Sequence, residues 1–247
     1  MRVRIVLLAV LVSVVGPWYA GSARADFMLV PPGLNPGDPF RVAFLSSATR
    51  NAASPDIADY DQFITNLAVT AGLDTYFGSP VTWQAIGSTA TVDAVARLPK
   101  SFGSPPLYRL DGGLVAPSAG ILWVMGPTGL PITLTESGVD LGNAVVWTGT
   151  QRDGTAFEPL GAGPFVAFGI TTFSGGGWVA ENDAPRGEPH HLYGYSSVLT
   201  VPQQASAVPE PASLTLVLVG FATLTGGAAV RWRRRGARGP AVRGDRI

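Results

Sequence analysis

Nineteen consecutive uncharged residues, Ala212 to Val230, stand between a Pro-Glu-Pro triplet and an arginine cluster near the end of the chain. As a helix they reach about 28 Å, close to the roughly 30 Å hydrocarbon core of a bilayer, so a transmembrane helix is expected over 212–230. Pro209, Glu210 and Pro211 cannot continue a helix, and the proline-flanked segment reads as extended and accessible. Arg231, Arg233, Arg234 and Arg235 follow at once, the cationic excess that belongs on the cytoplasmic side of a span. Residues 236–247 continue as a basic tail. The soluble fold must therefore come from the residues before this end.

The order of triplet, uncharged span and arginine cluster resembles the PEP-CTERM sorting signal of bacterial surface proteins, here over Val208 to Arg235. The resemblance implies export, transient anchoring and cleavage near the triplet by an exosortase, a membrane-embedded transpeptidase. An ordinary single-pass anchor behind a proline-rich stalk is the plainer alternative. The extension after Arg235 departs from the pattern but adds positive charge, which agrees with the topology.

The other terminus points the same way. Arg2 and Arg4 form a positive n-region, Ile5 to Val15 an apolar h-region ended by Gly16-Pro17, and Ala23-Arg24-Ala25 a small-x-small cleavage site. Residues 1–25 are read as a signal peptide for the secretion translocase, cut after Ala25 to leave Asp26 first. The eleven residues of this h-region are short for a span.

The formal net charge of zero averages unlike parts. Asp26 to Val208 holds 15 acids against 7 bases, whereas the tail after Val230 holds 7 arginines. An acidic body with no basic stripe is not expected to bind nucleic acid. Cysteine is absent, which excludes disulfide staples, thiol catalysis and cysteine metal sites. Burial must suffice, and Trp83, Trp123, Trp147 and Trp178 supply large apolar anchors.

The chain has 31 glycines and 21 prolines, most of them within residues 26–200, where apolar runs are short and β-branched. A single exported α+β domain with a mainly antiparallel sheet and one or two helices is expected, followed by a linker over 201–208. No fixed-period repeat is visible. A helix is predicted with Ser54 as its cap, Pro55 at its first position, Asp56 and Asp59 at its positive end, and Gly72 as its stop. Ile57, Tyr60, Ile64, Leu67, Ala68 and Ala71 share one face. Strands are expected at Phe40–Leu45, Ala144–Thr148, Phe165–Phe173 and Val198–Val201. Leu107–Leu110 and Leu114–Ala116 read as a hairpin over Asp111-Gly112-Gly113, and a second helix is placed near Val92–Arg97. Ser174–Pro189 reads as a Gly-rich loop.

A fainter likeness runs through Ala71-Gly72-Leu73, Trp83-Gln84-Ala85-Ile86, Arg97-Leu98-Pro99, Tyr108-Arg109-Leu110-Asp111-Gly112, Thr135-Glu136-Ser137-Gly138 and Val146-Trp147-Thr148-Gly149-Thr150. This order is similar to bacterial secreted domains of the C-type-lectin-like and endostatin-like folds. The Glu-Pro-Asn and Trp-Asn-Asp motifs with which lectins hold calcium and sugar are missing, so sugar binding does not carry over.

Candidate chemistry is sparse. Adjacent His190 and His191 point to opposite faces of an extended chain, so a solvated loop is preferred over a metal site completed by Glu188 or Asp183. No Gly-x-Ser-x-Gly elbow occurs, and Ser174-Gly175-Gly176-Gly177 reads as loop. Asp56, Asp59 and Asp61 lie together, but the first two are explained by the helix dipole. Glu136, Asp140, Glu158 and Glu181 read as scattered surface charges rather than a glycosidase pair. Asp153-Gly154-Thr155 and Glu181-Asn182-Asp183 could contribute to structural calcium, although neither has the spacing of an EF-hand loop. Otherwise no cofactor and no metal ligand are expected, and no catalytic residue is assigned. Trp147 is read as a core residue.

The functional expectation is an exported, non-enzymatic surface or extracellular-matrix protein, with a secreted polysaccharide hydrolase as the alternative. Its expected partners are the translocase, an exosortase, the membrane and an extracellular polysaccharide reached through Ser174–Pro189 and exposed aromatics such as Trp178 or Tyr193.

Overall fold

The computed structural model describes residues 30–203. The expected signal peptide with Ala23 and Ala25, the expected sorting motif Pro209-Glu210-Pro211, the expected span 212–230, the arginines 231 and 233–235 and the tail all lie outside the described residues. Among the described residues no helix is long and apolar enough to cross a membrane.

The fold is α+β with mainly antiparallel sheets. Its centre is β1 (Pro39–Leu45), whose sequence PFRVAFL is almost continuously apolar. A strand reads that way when both faces are covered, because successive side chains point to opposite sides. Phe40, Val42 and Phe44 enter one core cluster, and Ala43 and Leu45 enter the other. Antiparallel to β1 run β10 (Tyr193–Ser196) and β11 (Leu199–Thr200); β10 in turn pairs with β4 (Trp83–Ala85). On its other side β1 pairs with β5 (Leu107–Arg109), and β5 with β6 (Leu114–Ala116). The β1–β5 pairing is parallel, the one departure from antiparallel pairing in this sheet, and it needs the long crossover that carries the first two helices.

The helix α1 (Ile57–Thr70) turns Tyr60, Ile64 and Ala68 into the first cluster. Its cap is Asp56, whose carboxylate accepts from Ala58 N at 2.9 Å, and not Ser54 as the sequence suggests. Ser54 instead accepts from Asp56 N at 3.2 Å and donates to Asp59 at 2.5 Å, so Pro55 precedes the helix rather than opening it. An aspartate two residues nearer the helix outcompetes serine because its charge also meets the helix dipole. The stop is as expected. Gly72, at φ +79°, sends its N–H to Val69 O, while Leu73 N reaches Ala68 O. That is a Schellman closure, and it needs a left-handed residue where glycine stands.

The remaining helices are α2 (Ala94–Arg97), inside the predicted window, and α3 (Ala119–Met125), which the sequence reading lacks. Ser118 caps α3 by accepting from Ile121 N at 3.2 Å, and Leu122 and Trp123 bury into the second cluster. The hairpin over Asp111-Gly112-Gly113 forms as predicted, with Gly112 at φ +81°. A small ribbon joins β2 (Thr75–Tyr76) to β3 (Ser79–Pro80). A second sheet orders β7 (Val145–Trp147), β8 (Phe165–Ile170) and β9 (Asn182–Pro185). In β7, Val146 belongs to one cluster and Trp147 to the other, so this strand, like β1, is covered on both sides.

The 174–189 segment is not the free loop the sequence suggests. It contains β9, and Trp178 and Val179 are fully buried inside it. Trp178 packs against Trp123 and Tyr193 at ring-centroid distances of 5.5 and 5.6 Å. Trp178 and Tyr193 are therefore core residues rather than exposed binding aromatics. A glycine-rich segment can still hold a core tryptophan when its glycines let backbone approach backbone.

Candidate functional site

Polar groups converge at two places. The first is the C-terminal end of β1. Ser46 Oγ donates to Ala48 O at 2.7 Å and accepts from Leu192 N at 2.9 Å. Glu136 is buried, correcting its placement as a surface charge, with Oε2 accepting from Ser47 N at 2.9 Å and Oε1 from Ser47 Oγ. Both of its oxygens are therefore committed to one residue of the β1 loop. A buried carboxylate needs such partners, since an unpaired charge there would cost several kcal/mol, of order. Beside it, His191 Nδ1 lies 2.6 Å from Ser46 O. A carbonyl only accepts, so the ring proton sits on Nδ1.

His190 faces the other way, as the alternation along an extended chain requires. Its ring lies 4.4 Å from that of Trp147 and 6.1 Å from that of Phe168, and Nε2 is 3.4 Å from Glu188. Burial lowers its pKa below the ordinary histidine value against the opposing pull of Glu188, so the ring is neutral at pH 7. His190 is thus half-buried on the core, tied to Arg50 by backbone hydrogen bonds in both directions, rather than solvated in a loop.

The acids of the α1 region are spread over separate tasks. Asp56 caps, Asp59 accepts from Ser54, and Asp61 holds Arg97 at 2.5 Å while accepting from Ala85 N at 2.8 Å. Asp140, Glu158, Glu181 and Asp183 are exposed. Among the described residues no group of three or more His, Asp or Glu side chains is arranged to hold a metal ion. Asp153 turns inward on its own loop, accepting from Thr155 N at 2.9 Å and Thr155 Oγ1 at 2.7 Å. Those two hydrogen bonds hold its pKa below the usual carboxylate value.

The second convergence is a cleft of about 350 Å³ lined by Lys100, Trp123, Val124, Gln151, Arg152 and Asp153. Three segments meet there: the stretch after α2, the C-terminal turn of α3, and the turn after β7. Arg152 Nε donates to Val124 O at 2.8 Å, and Nη2 donates to the same oxygen, so a cation satisfies the exposed carbonyl end of α3. Trp123 forms the apolar floor, anchored by its indole N–H to Leu98 O at 2.7 Å. Sequence reasoning missed this site because its lining residues are far apart in the chain and none belongs to a recognisable motif. The available signals are scattered: Lys100, the only lysine in the chain, Trp123 as an apolar anchor, and Asp153 in a candidate calcium loop.

No known protein family matches this chain, and no curated protein matches it either.

Proposed function

We propose that the protein is an exported surface or extracellular-matrix component, sorted by the signal at 209–235, cut near Pro209-Glu210-Pro211 by an exosortase, and active through binding rather than turnover. The observation that carries this reading is the order of parts at the chain end: a Pro-Glu-Pro triplet, a charge-free stretch long enough as a helix for a bilayer, then Arg231, Arg233, Arg234 and Arg235. The positive n-region and the Ala23-Arg24-Ala25 site at the other end support the same route.

The binding role is supported by the fate of the titratable groups. A hydrolase of polysaccharide needs two carboxylates, or a carboxylate and a histidine, free to face one bond. Glu136 spends both oxygens on Ser47, Asp61 is paired with Arg97, and His190 and His191 point apart.

Changing Arg233, Arg234 and Arg235 together to glutamine tests the sorting reading. Fractionation of cells expressing this variant should show weaker membrane retention and a rise of uncleaved chain in the medium. Unchanged retention and cleavage would count against a sorting signal at this position.

A further inference from the structure

We propose that the cleft between α3 and the turn after β7 binds a carboxylate-bearing saccharide unit, with Lys100 as the residue that selects the acid. This assignment rests on the binding role proposed above and supplies its ligand class.

The cleft is built before any ligand arrives. Gly154 N donates to Gln151 O at 2.9 Å, Gln151 N to Thr155 O at 3.0 Å, and Val95 N to Gly154 O at 2.9 Å, which locks the turn onto α2. Gly154 sits at φ +89°, and a Cβ there would come within 2.6 Å of Val95, so the turn admits only glycine. Its side chains are held as well: Gln151 Nε2 donates to Thr155 Oγ1 at 2.7 Å, and Arg152 is clamped on Val124 O. What these bonds leave over is a mixed set. Gln151 Oε1 and Asp153 Oδ2 can accept, and Arg152 Nη1 and the Lys100 ammonium can donate.

A hydroxyl both donates and accepts, so a polyhydroxylated ligand suits a site that offers both over an apolar floor. The volume lies at the small end of ligand pockets, roughly 300–1,000 Å³. The charges choose among such ligands. Two cations against one carboxylate leave the cleft one positive charge in excess, inside a body that is strongly acidic elsewhere. That favours a monoanion, whereas a phosphate dianion would meet Asp153 without a nest of backbone N–H groups to compensate.

Lys100 is the decisive group because no hydrogen bond or salt bridge holds its ammonium, which acts only through its charge on Asp153 in the same cleft. Arg41 donates to Ser196 O, Arg50 to Asp59 O, and Arg97 and Arg109 pair with Asp61 and Asp111. Among the described residues Lys100 and Arg186 are the cations whose side chains make no hydrogen bond or salt bridge, and of these two it is Lys100 that lines the cleft.

The test is calorimetric titration of the full-length chain in detergent with trigalacturonate, its methyl ester, cellotriose, acetate and inorganic phosphate. Trigalacturonate should bind with a Kd near ~10⁻⁴ M, and its methyl ester and cellotriose about tenfold more weakly. Lys100→Gln, at an exposed position that makes no hydrogen bond or salt bridge, should weaken trigalacturonate about tenfold, while Arg186→Gln should change nothing. Equal binding of acid and ester, no effect of Lys100→Gln, no binding of any sugar, or tighter binding of acetate or phosphate would each overturn the assignment. Export and processing, read by mass, are independent of this result, so failure here and failure of the sorting reading are told apart.

Discussion

Trp147→Ala should lower the unfolding free energy of the chain by about 3–5 kcal/mol, the range for a fully buried aromatic truncated to alanine. Trp147 has no exposed surface, lies in the same cluster as Phe44, Trp83 and Val166, and donates its indole N–H to Glu188 O at 3.2 Å. Its removal opens a cavity between β7 and the His190 segment and strands that carbonyl. His190→Ala is the informative comparison. The ring rests on Trp147 but is half-buried at the edge, so its loss should cost about 1 kcal/mol, the scale of one aromatic contact. Urea melts of the full-length variants in detergent, followed by circular dichroism, measure both. A larger loss for His190→Ala than for Trp147→Ala would contradict the core assignment.

Gly169→Ala should cost about 3 kcal/mol, the upper end of what overpacking does. The position lies in β8, where a Cβ would overlap the Trp178 carbonyl group and come within 2.7 Å of Val179 Cα. Both obstacles are backbone, so neither can swing aside. The segment they belong to is pinned: Ile170 N donates to Gly177 O at 2.9 Å, Glu181 N to Phe168 O at 2.8 Å, and Thr148 Oγ1 to Val179 O. Gly187→Ala, where no atom lies within 4 Å of the added methyl, should leave the melt unchanged. A silent Gly169→Ala would mean that residues 177–181 do not sit on β8, and that Trp178 is free after all.

These two sites also separate what is legible in the sequence, the core role of Trp147, from what is not, the burial of Trp178. Strand β1, helix α1 and the hairpin at 107–116 announce themselves because their signals are local: a two-sided apolar run, a three-to-four-residue stripe, and glycine in a tight turn. The cap of α1 was misplaced by two residues because Ser54, Asp56 and Asp59 all offer oxygens to the same helix end. Helix α3 was missed because Ala119–Met125 contains Gly120, two β-branched residues and a tryptophan, a composition nearer to strand than helix. Gly120 is needed there, since a Cβ would come within 2.8 Å of the Ser101–Phe102 backbone.

The parallel pairing of β1 with β5, the burial of Trp178 and the cleft around Lys100 are non-local. Each depends on segments many residues apart, and no window of sequence contains both sides of the contact. The proposed sorting signal is the reverse case. It is legible as a string of three parts because a membrane reads length, hydrophobicity and charge, none of which needs a folded partner.

The most direct test of the proposed route is the intact mass of the protein recovered from the surface of cells that express it. The route predicts a chain that begins at Asp26 and ends between Val208 and Pro211. A surface form that retains the sequence through Ile247 would contradict it and leave the plain membrane anchor.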